Sequence, residues 1–163
     1  VYTQVTLRGH VHMDFRSRSE LGFDGSVRDA VDLLGIDSAT HYQMLAGVKR
    51  HTEYSDLIPE MSKEWEYCEK NYKAVYYPHV SLGWDPTPRY IPLRDDIVMH
   101  AKPEYVKRAL TLAKEYLDCH EDLPAPLITI NSWNEWTESS YLEPDDLYGY
   151  AYLEAVRDVF LHG

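Results

Sequence analysis

The stretch Leu127-Ile128-Thr129-Ile130-Asn131-Ser132-Trp133-Asn134-Glu135-Trp136-Thr137-Glu138 decides the fold. Its first four residues are almost all apolar or β-branched, the pattern of a strand covered on both faces, as in a parallel sheet. The strand runs without a break into an aromatic, polar segment that carries two carboxylates. In parallel βα architectures reactive groups gather at the carboxyl ends of strands, so this junction is where chemistry is expected.

Working outward, further strands are expected at Tyr2–Leu7, Ser38–Leu45 and Ala74–Ser81, with Leu127–Asn131 as the last. Helices alternate with them. A short one follows Ser26, with Val27, Ala30, Val31 and Leu34 on one face and Gly35 as its stop. Thr52 to Tyr72 reads as helical in two pieces, broken near Pro59, with Ser62 as a cap. Pro103 opens the clearest helix, whose Val106, Ala109, Leu110, Ala113 and Leu117 form one apolar stripe. A last helix from Asp146 to Leu161 is expected to bury Leu153, Val156 and Phe160. The alternation predicts an α/β fold of about four βα units on a parallel sheet. No repeat, linker or low-complexity tract interrupts it, so residues 1–163 read as one domain or a piece of one.

The chain has 163 residues, 44% hydrophobic and 26% charged, which is the range of ordinary globular proteins. A complete (β/α)₈ barrel takes about 250 residues, so a barrel signal in this chain implies a partial barrel. Lys and Arg number 16 against 27 Asp and Glu, for a net charge of −11. No basic cluster is present to release counterions from a phosphate backbone, so nucleic acid is not an expected partner, nor is an anionic membrane surface. No run approaches the roughly 18 apolar residues of a membrane span. Cys68 and Cys119 belong to no C-x-x-C pair and read as ordinary buried thiols, with a disulfide between them left open. Fourteen Tyr and four Trp against three Phe favour half-wet surfaces and sugar faces, a bias that core packing serves equally.

Glu135 and Glu138, three residues apart at a strand end, suit glycoside chemistry. That chemistry needs one carboxyl group to protonate a leaving oxygen and a second as base or nucleophile. Trp133 and Trp136 offer stacking faces, Asn134 can bond a hydroxyl, and a tryptophan wall would keep one Glu protonated near neutrality. Equally, the tryptophans can be core and Glu138 the start of a loop. Asp145 or Asp146 is placed to cap the last helix. Glu143, extended before Pro144, can face either way. A second strand end, Tyr76-Tyr77-Pro78-His79-Val80-Ser81-Leu82-Gly83-Trp84-Asp85-Pro86-Thr87-Pro88-Arg89, carries Trp84, Asp85 and Arg89. An Asp85–Arg89 pair would either fix the loop internally or face a polar substrate. A third strand end offers His41, Tyr42 and Gln43.

These residues resemble a known family. Ile130-Asn131-Ser132-Trp133-Asn134-Glu135-Trp136-Thr137-Glu138, with Tyr141-Leu142-Glu143-Pro144-Asp145 and Tyr148-Gly149-Tyr150-Ala151-Tyr152-Leu153, is similar to the WbsX-like family, related to the family 99 glycoside hydrolases, the endo-α-mannosidases. Gly83-Trp84-Asp85-Pro86-Thr87-Pro88-Arg89 resembles its Trp-Asp-x-Thr-Pro-Arg loop, and Leu34-Gly35-Ile36-Asp37-Ser38-Ala39-Thr40-His41-Tyr42 its Gly-x-Asp-strand element. The resemblance runs from Leu21 to Phe160.

It implies a (β/α)₈ barrel acting on α-mannose-type glycans with retention. Glu135 would deprotonate the sugar 2-hydroxyl, whose oxygen attacks C1 to give a 1,2-anhydro intermediate. Glu138 would protonate the departing oxygen. Trp84, Asp85, Arg89, Asn134, Trp136 and Tyr42 are the expected substrate contacts, an oligo- or polysaccharide the expected partner, and no cofactor or metal is expected. Thr137 before Glu138 and Ser139-Ser140 after it depart from the hydrolases' His and Glu-Gly and lean toward the WbsX-like branch, whose members are often described as polysaccharide-biosynthesis glycosyltransferases. The match also implies the carboxyl-terminal half of a barrel, with the amino-terminal strands elsewhere or supplied by self-association.

Other chemistries are weaker. His10 and His12 form an H-x-H at a strand end, a possible start of a metal site that lacks a matching later ligand set. No phosphate loop (G-x-x-x-x-G-K or G-x-G-x-x-G) and no G-x-S-x-G elbow occurs. Three readings stand: a glycoside hydrolase, a glycosyltransferase, and a non-catalytic sugar-binding half-barrel.

Overall fold

The computed structural model describes residues 1–8, 27–45, 48 and 51–161, so the His10/His12 motif lies outside the described residues. Four βα steps follow one another. β1 (Gln4–Arg8) leads to α1 (Val27–Leu33), and β2 (Ser38–Gln43) leads through β3 (Thr52–Glu53) into α2 (Tyr54–Asn71). A broken strand, β4 (Val75–Tyr76) and β5 (His79–Ser81), leads through β6 (Val98–Met99) into α3 (Pro103–Asp118). Last come β7 (Thr129–Asn131), the hairpin β8 (Asn134–Glu135) and β9 (Ser140–Tyr141), and α4 (Ala151–Phe160).

Pairing is parallel along β1–β2–β4 and between β5 and β7. Pro78, which has no N–H to give a ladder, separates β4 from β5. The two sheets remain adjacent, since the Thr40 hydroxyl reaches Thr129 Oγ1 at 2.6 Å. Parallel direction puts the carboxyl ends of β2, β5 and β7 on one side, the placement that builds a site. The α/β expectation therefore holds.

Helix α2 is one continuous helix, not two pieces. Pro59 lacks only the bond its N–H would give to the Ser55 carbonyl. Leu57, Ile58 and Met61 are buried on both sides of it, and each such side chain contributes about 1.5–3 kcal/mol. Ser62 donates to the Pro59 carbonyl at 3.0 Å and starts no helix. The helix is also anchored through polar groups, because Tyr54 Oη donates to the Ser81 carbonyl at 2.7 Å and Trp65 Nε1 to the His79 carbonyl at 3.2 Å.

Helix α3 buries Val106, Ala109, Leu110 and Ala113 as the stripe predicts, while its last member, Leu117, is only partly buried. Helix α1 ends where expected, with Gly35 at φ +63°, a left-handed conformation open to glycine without strain. Leu34 lies past the last helical turn and is exposed. Helix α4 starts five residues later than the pattern suggests and buries Tyr152, Ala155 and Val159 rather than Leu153, Val156 and Phe160. The delay has a local cause. The Asp145 carboxylate accepts the N–H groups of Leu147 and Tyr148, a turn that uses up residues otherwise helical, so Asp145 closes a loop and caps nothing. Cys68 is buried, whereas Cys119 at the end of α3 is exposed, correcting the expectation of two buried thiols; both are free.

Candidate active site

The segment leaving β7 folds back as the β8–β9 hairpin, in which Asn134 faces Tyr141 and Glu135 faces Ser140. Its turn is a single 3₁₀ stretch, Trp136–Glu138, closed by Ser139 at φ +50°. The segment leaving β5 ends in a second 3₁₀ stretch, Thr87–Arg89. Arg89 joins the two. Its Nη2 donates to Glu135 Oε1 at 2.5 Å, its Nη1 to Glu138 Oε1 at 2.8 Å and its Nε to Thr137 Oγ1 at 2.6 Å. Thr137 in turn donates to Glu135 Oε1 at 2.9 Å.

The two glutamates differ in surroundings. The Glu135 side chain is about a third exposed at 32%, the Glu138 side chain only 6%. Glu138 Oε2 is buried with no hydrogen-bond partner among the described residues. A buried carboxylate oxygen left unmatched is costly, and one beside an open face is suited to a substrate hydroxyl or to a proton in transfer.

Beneath this pair lies a buried polar layer. Asn131 Oδ1 accepts from Ser140 Oγ at 2.7 Å and from Gln43 Nε2 at 3.3 Å, and the same Gln43 amide donates to the Gly83 carbonyl at 3.1 Å. Three strand ends are thereby tied together. Gly83 has no side chain for a steric reason: a Cβ there would lie 2.0 Å from the Ser139 carbonyl oxygen. Asp85 N–H donates to the Glu138 carbonyl at 2.8 Å, continuing the contact. His79 meets Thr129 Oγ1 at 2.8 Å and Ser81 Oγ at 3.0 Å. Burial, with a smaller contribution from His41, pushes its imidazole down to about 3, so it is neutral at ordinary pH.

The structure brings together Glu135, Glu138 and Arg89 of the predicted site. Trp84, expected as a stacking face, is 4% exposed and packs in the hydrophobic core, because its strand-end neighbours Gly83 and Asp85 run against residues 138 and 139. No Asp85–Arg89 pair forms. Asp85 Oδ1 accepts from Thr87 N–H at 3.0 Å and Thr87 Oγ1 at 2.6 Å, fixing the loop by itself, while Arg89 faces the glutamates. Asn134 is exposed. Tyr42 and Trp136 are also exposed, at 45% and 43%. The expected tryptophan wall is absent, since Trp133 is exposed too and Trp136 lies stacked on Tyr141 with ring centroids 3.9 Å apart. Trp136 Nε1 donates to Glu143 Oε2 at 2.9 Å, which fixes the direction Glu143 faces.

Thr137, Ser132, Asn131 and Ser140 support the site and escaped the sequence reading, whereas Gln43 was among the residues offered by the third strand end. Ser132 Oγ accepts the Glu135 N–H at 3.1 Å and donates to the Ser140 carbonyl at 2.9 Å. A hydroxyl-rich run flanking the glutamates was the available signal. Among the described residues the glutamate pair has no histidine or cysteine in contact, so its donor set is that of an acid–base or binding site.

Comparison with known proteins gives the family and the fold. The sequence model of the family described as glycosyltransferase WbsX matches residues 7–156. The chain is 30% identical over 139 residues to the uncharacterized protein WxcX of Xanthomonas campestris pv. campestris, in two strains, covering 85% of this chain and 19% of that protein. It thus spans about a fifth of the length of the curated relatives it matches. Among solved structures it is similar to an endo-α-mannosidase of glycoside hydrolase family 99 from Bacteroides thetaiotaomicron, with TM-score 0.50 and 14% identity, over 82% of this chain and 42% of that one. That likeness is one of fold.

Proposed function

The chain belongs to the WbsX glycosyltransferase family, a carbohydrate-active family, and from that premise we propose that it is a sugar-processing domain in which Glu135 and Glu138 act as a pair on α-mannose-type glycans. The observation that carries the reading is the shared guanidinium, which holds both carboxylates at one point where β7 ends while Glu138 keeps a buried oxygen without a partner. Glu135, the more open of the two, takes the proton of the sugar 2-hydroxyl as that oxygen bonds to C1. Glu138 gives a proton to the departing glycosidic oxygen as its bond to C1 breaks. Water then opens the 1,2-anhydro ring at C1, losing a proton to Glu138, while Glu135 returns its own to O2. Both carboxyl groups finish as they began.

Arg89 Nη1 occupies Glu138 Oε1, so Arg89 must give up that oxygen for Glu138 to bond the departing group through it. Substrate hydroxyls arriving at Glu135 and Glu138 are the natural replacement for its bonds. Asn134, Trp136 and Tyr42, all exposed, are the remaining candidate sugar contacts; Trp84 and Asp85 act through the loop they build. In scaffold terms, we read residues 1–163 as one domain and its parallel strands as an arc of a (β/α)₈ barrel, with further strands completing the substrate groove.

Arg89 favours a second reading. A half-exposed guanidinium in front of two carboxylates can accept the phosphate of an activated sugar, which would make the reaction a transfer in polysaccharide assembly. Assaying the full-length protein separates the two. Hydrolysis of an aryl α-mannoside or a mannan oligosaccharide, lost in Glu138→Gln, supports the hydrolase. Transfer that requires a phosphate-activated donor, without hydrolysis, supports the transferase. Glycan binding that survives replacement of both glutamates, with no turnover of any substrate, removes both and leaves a sugar-binding domain.

A further inference from the structure

On the helix-covered face of the sheet, outside the glutamate site, three side chains of different chemistry converge. His41 projects from β2, and Glu64 and Cys68 stand one turn apart on α2. Spacing of four residues puts the last two on one helix face. His41 Nε2 lies 3.6 Å from Glu64 Oε1, and Cys68 Sγ lies 4.0 Å from the same oxygen. All three donor atoms fall within 4.8 Å of one another, and all three residues are buried. We propose that His41, Glu64 and Cys68 form an internal site for a divalent transition-metal ion of the zinc type.

The donor set is the first argument. Imidazole nitrogen, carboxylate oxygen and thiolate sulfur together suit a borderline-soft ion, not magnesium or calcium. Spacing is the second. Ligand atoms around a tetrahedral zinc ion stand about 3.3–3.8 Å apart, so the nitrogen–oxygen separation already fits, and the sulfur, 4.0 Å from the oxygen and within 4.8 Å of the nitrogen, must close in by up to about an ångström. Glu64 fills one vertex through its carboxylate, giving three protein ligands among the described residues.

Orientation is the third. The Tyr76 hydroxyl lies 2.6 Å from His41 Nδ1; in the metal-bound tautomer it accepts the Nδ1–H and leaves the Nε2 lone pair for the ion. Such a partner on the far nitrogen is the usual support of a metal-bound histidine. Charge is the fourth. A divalent ion with one carboxylate, one thiolate and a neutral imidazole sums to zero over these three ligands, which lowers the cost of burying it. Binding displaces the Cys68 thiol proton to solvent. With no exposed ligand the ion is structural, taken up as α2 docks on the sheet.

The test uses the full-length protein expressed in zinc- or cobalt-supplemented medium and dialysed exhaustively. Elemental analysis is expected to find one metal ion per chain. The cobalt form should show a thiolate-to-cobalt charge-transfer band that disappears in Cys68→Ser and persists in Cys119→Ser. X-ray absorption of the unsubstituted zinc form should find one sulfur at about 2.3 Å, a readout independent of whether any variant folds. Folded protein that retains no metal, or a cobalt band that survives Cys68→Ser, overturns the proposal and leaves His41 and Glu64 as a buried pair. None of these readouts depends on turnover, so failure here leaves the glycan reading untouched.

Discussion

Arg89 gives hydrogen bonds to three side chains of the β8–β9 hairpin and is the one cation bonded to either glutamate among the described residues. Replacing it with alanine strands the nearly buried Glu138 carboxylate. Arg89→Ala is therefore expected to lower stability by about 1–3 kcal/mol in denaturant titration, and glycan turnover by about a hundredfold. Arg89→Lys should recover only part of either loss, because an ammonium cannot bridge two carboxylates and a hydroxyl as a planar fork does. Equal performance of the lysine and arginine forms would show that the fork is irrelevant. Glu138→Gln should abolish turnover while keeping the fold, since an amide fills the same space and its oxygen still accepts from Arg89. Retained turnover in that variant would remove Glu138 as the proton donor. That two glutamates at a strand end matter was readable from spacing alone. That Arg89, 46 and 49 residues away, joins them was not, because sequence spacing carries no record of which loops meet.

At the scale of elements, the two loops fit only because Gly83 is bare. Gly83→Ala forces a methyl group against the Ser139 carbonyl oxygen, 2.0 Å from where the Cβ must lie, and backbone on both sides leaves little room to yield. A loss of about 2–4 kcal/mol is expected, together with loss of turnover. A crystal structure of the variant with residues 136–139 unmoved would contradict the account. The helices show what a one-dimensional pattern can and cannot carry. The stripe of α3 was legible because Val106, Ala109, Leu110 and Ala113 repeat at helical spacing on an amphipathic surface. Pro59 misled, since its local penalty is one missing hydrogen bond whereas the burial of Leu57, Ile58 and Met61 is a tertiary gain invisible to propensity. The start of α4 misled for the opposite reason, because Asp145 spends its carboxylate on the turn before the helix. Trp84 shows the same limit at a site: an aromatic ring beside reactive groups reads alike whether it faces solvent or core.

Across the whole molecule, the buried polar layer makes acid stability a property of the fold. His79 is held down to about 3 against an ordinary value of 6.5, so between those values the unfolded chain takes up a proton that the folded chain refuses. Its contribution is nil above pH 6.5, and stability falls as pH drops from 6.5 toward 3, at up to about 1.4 kcal/mol per pH unit. Denaturation followed across that range should show the slope, and His79→Gln should flatten it. An unchanged slope would place the acid sensitivity elsewhere, in the paired carboxylates. The two thiols have a practical use of another kind. Cys119 is open at the end of α3, while Cys68 is enclosed under α2, where burial pushes its thiol up. A maleimide dye should attach to Cys119 alone in the native protein and to both once the chain is unfolded. Tagging needs no engineering, and the second label to attach reports, molecule by molecule, the moment α2 lifts from the sheet.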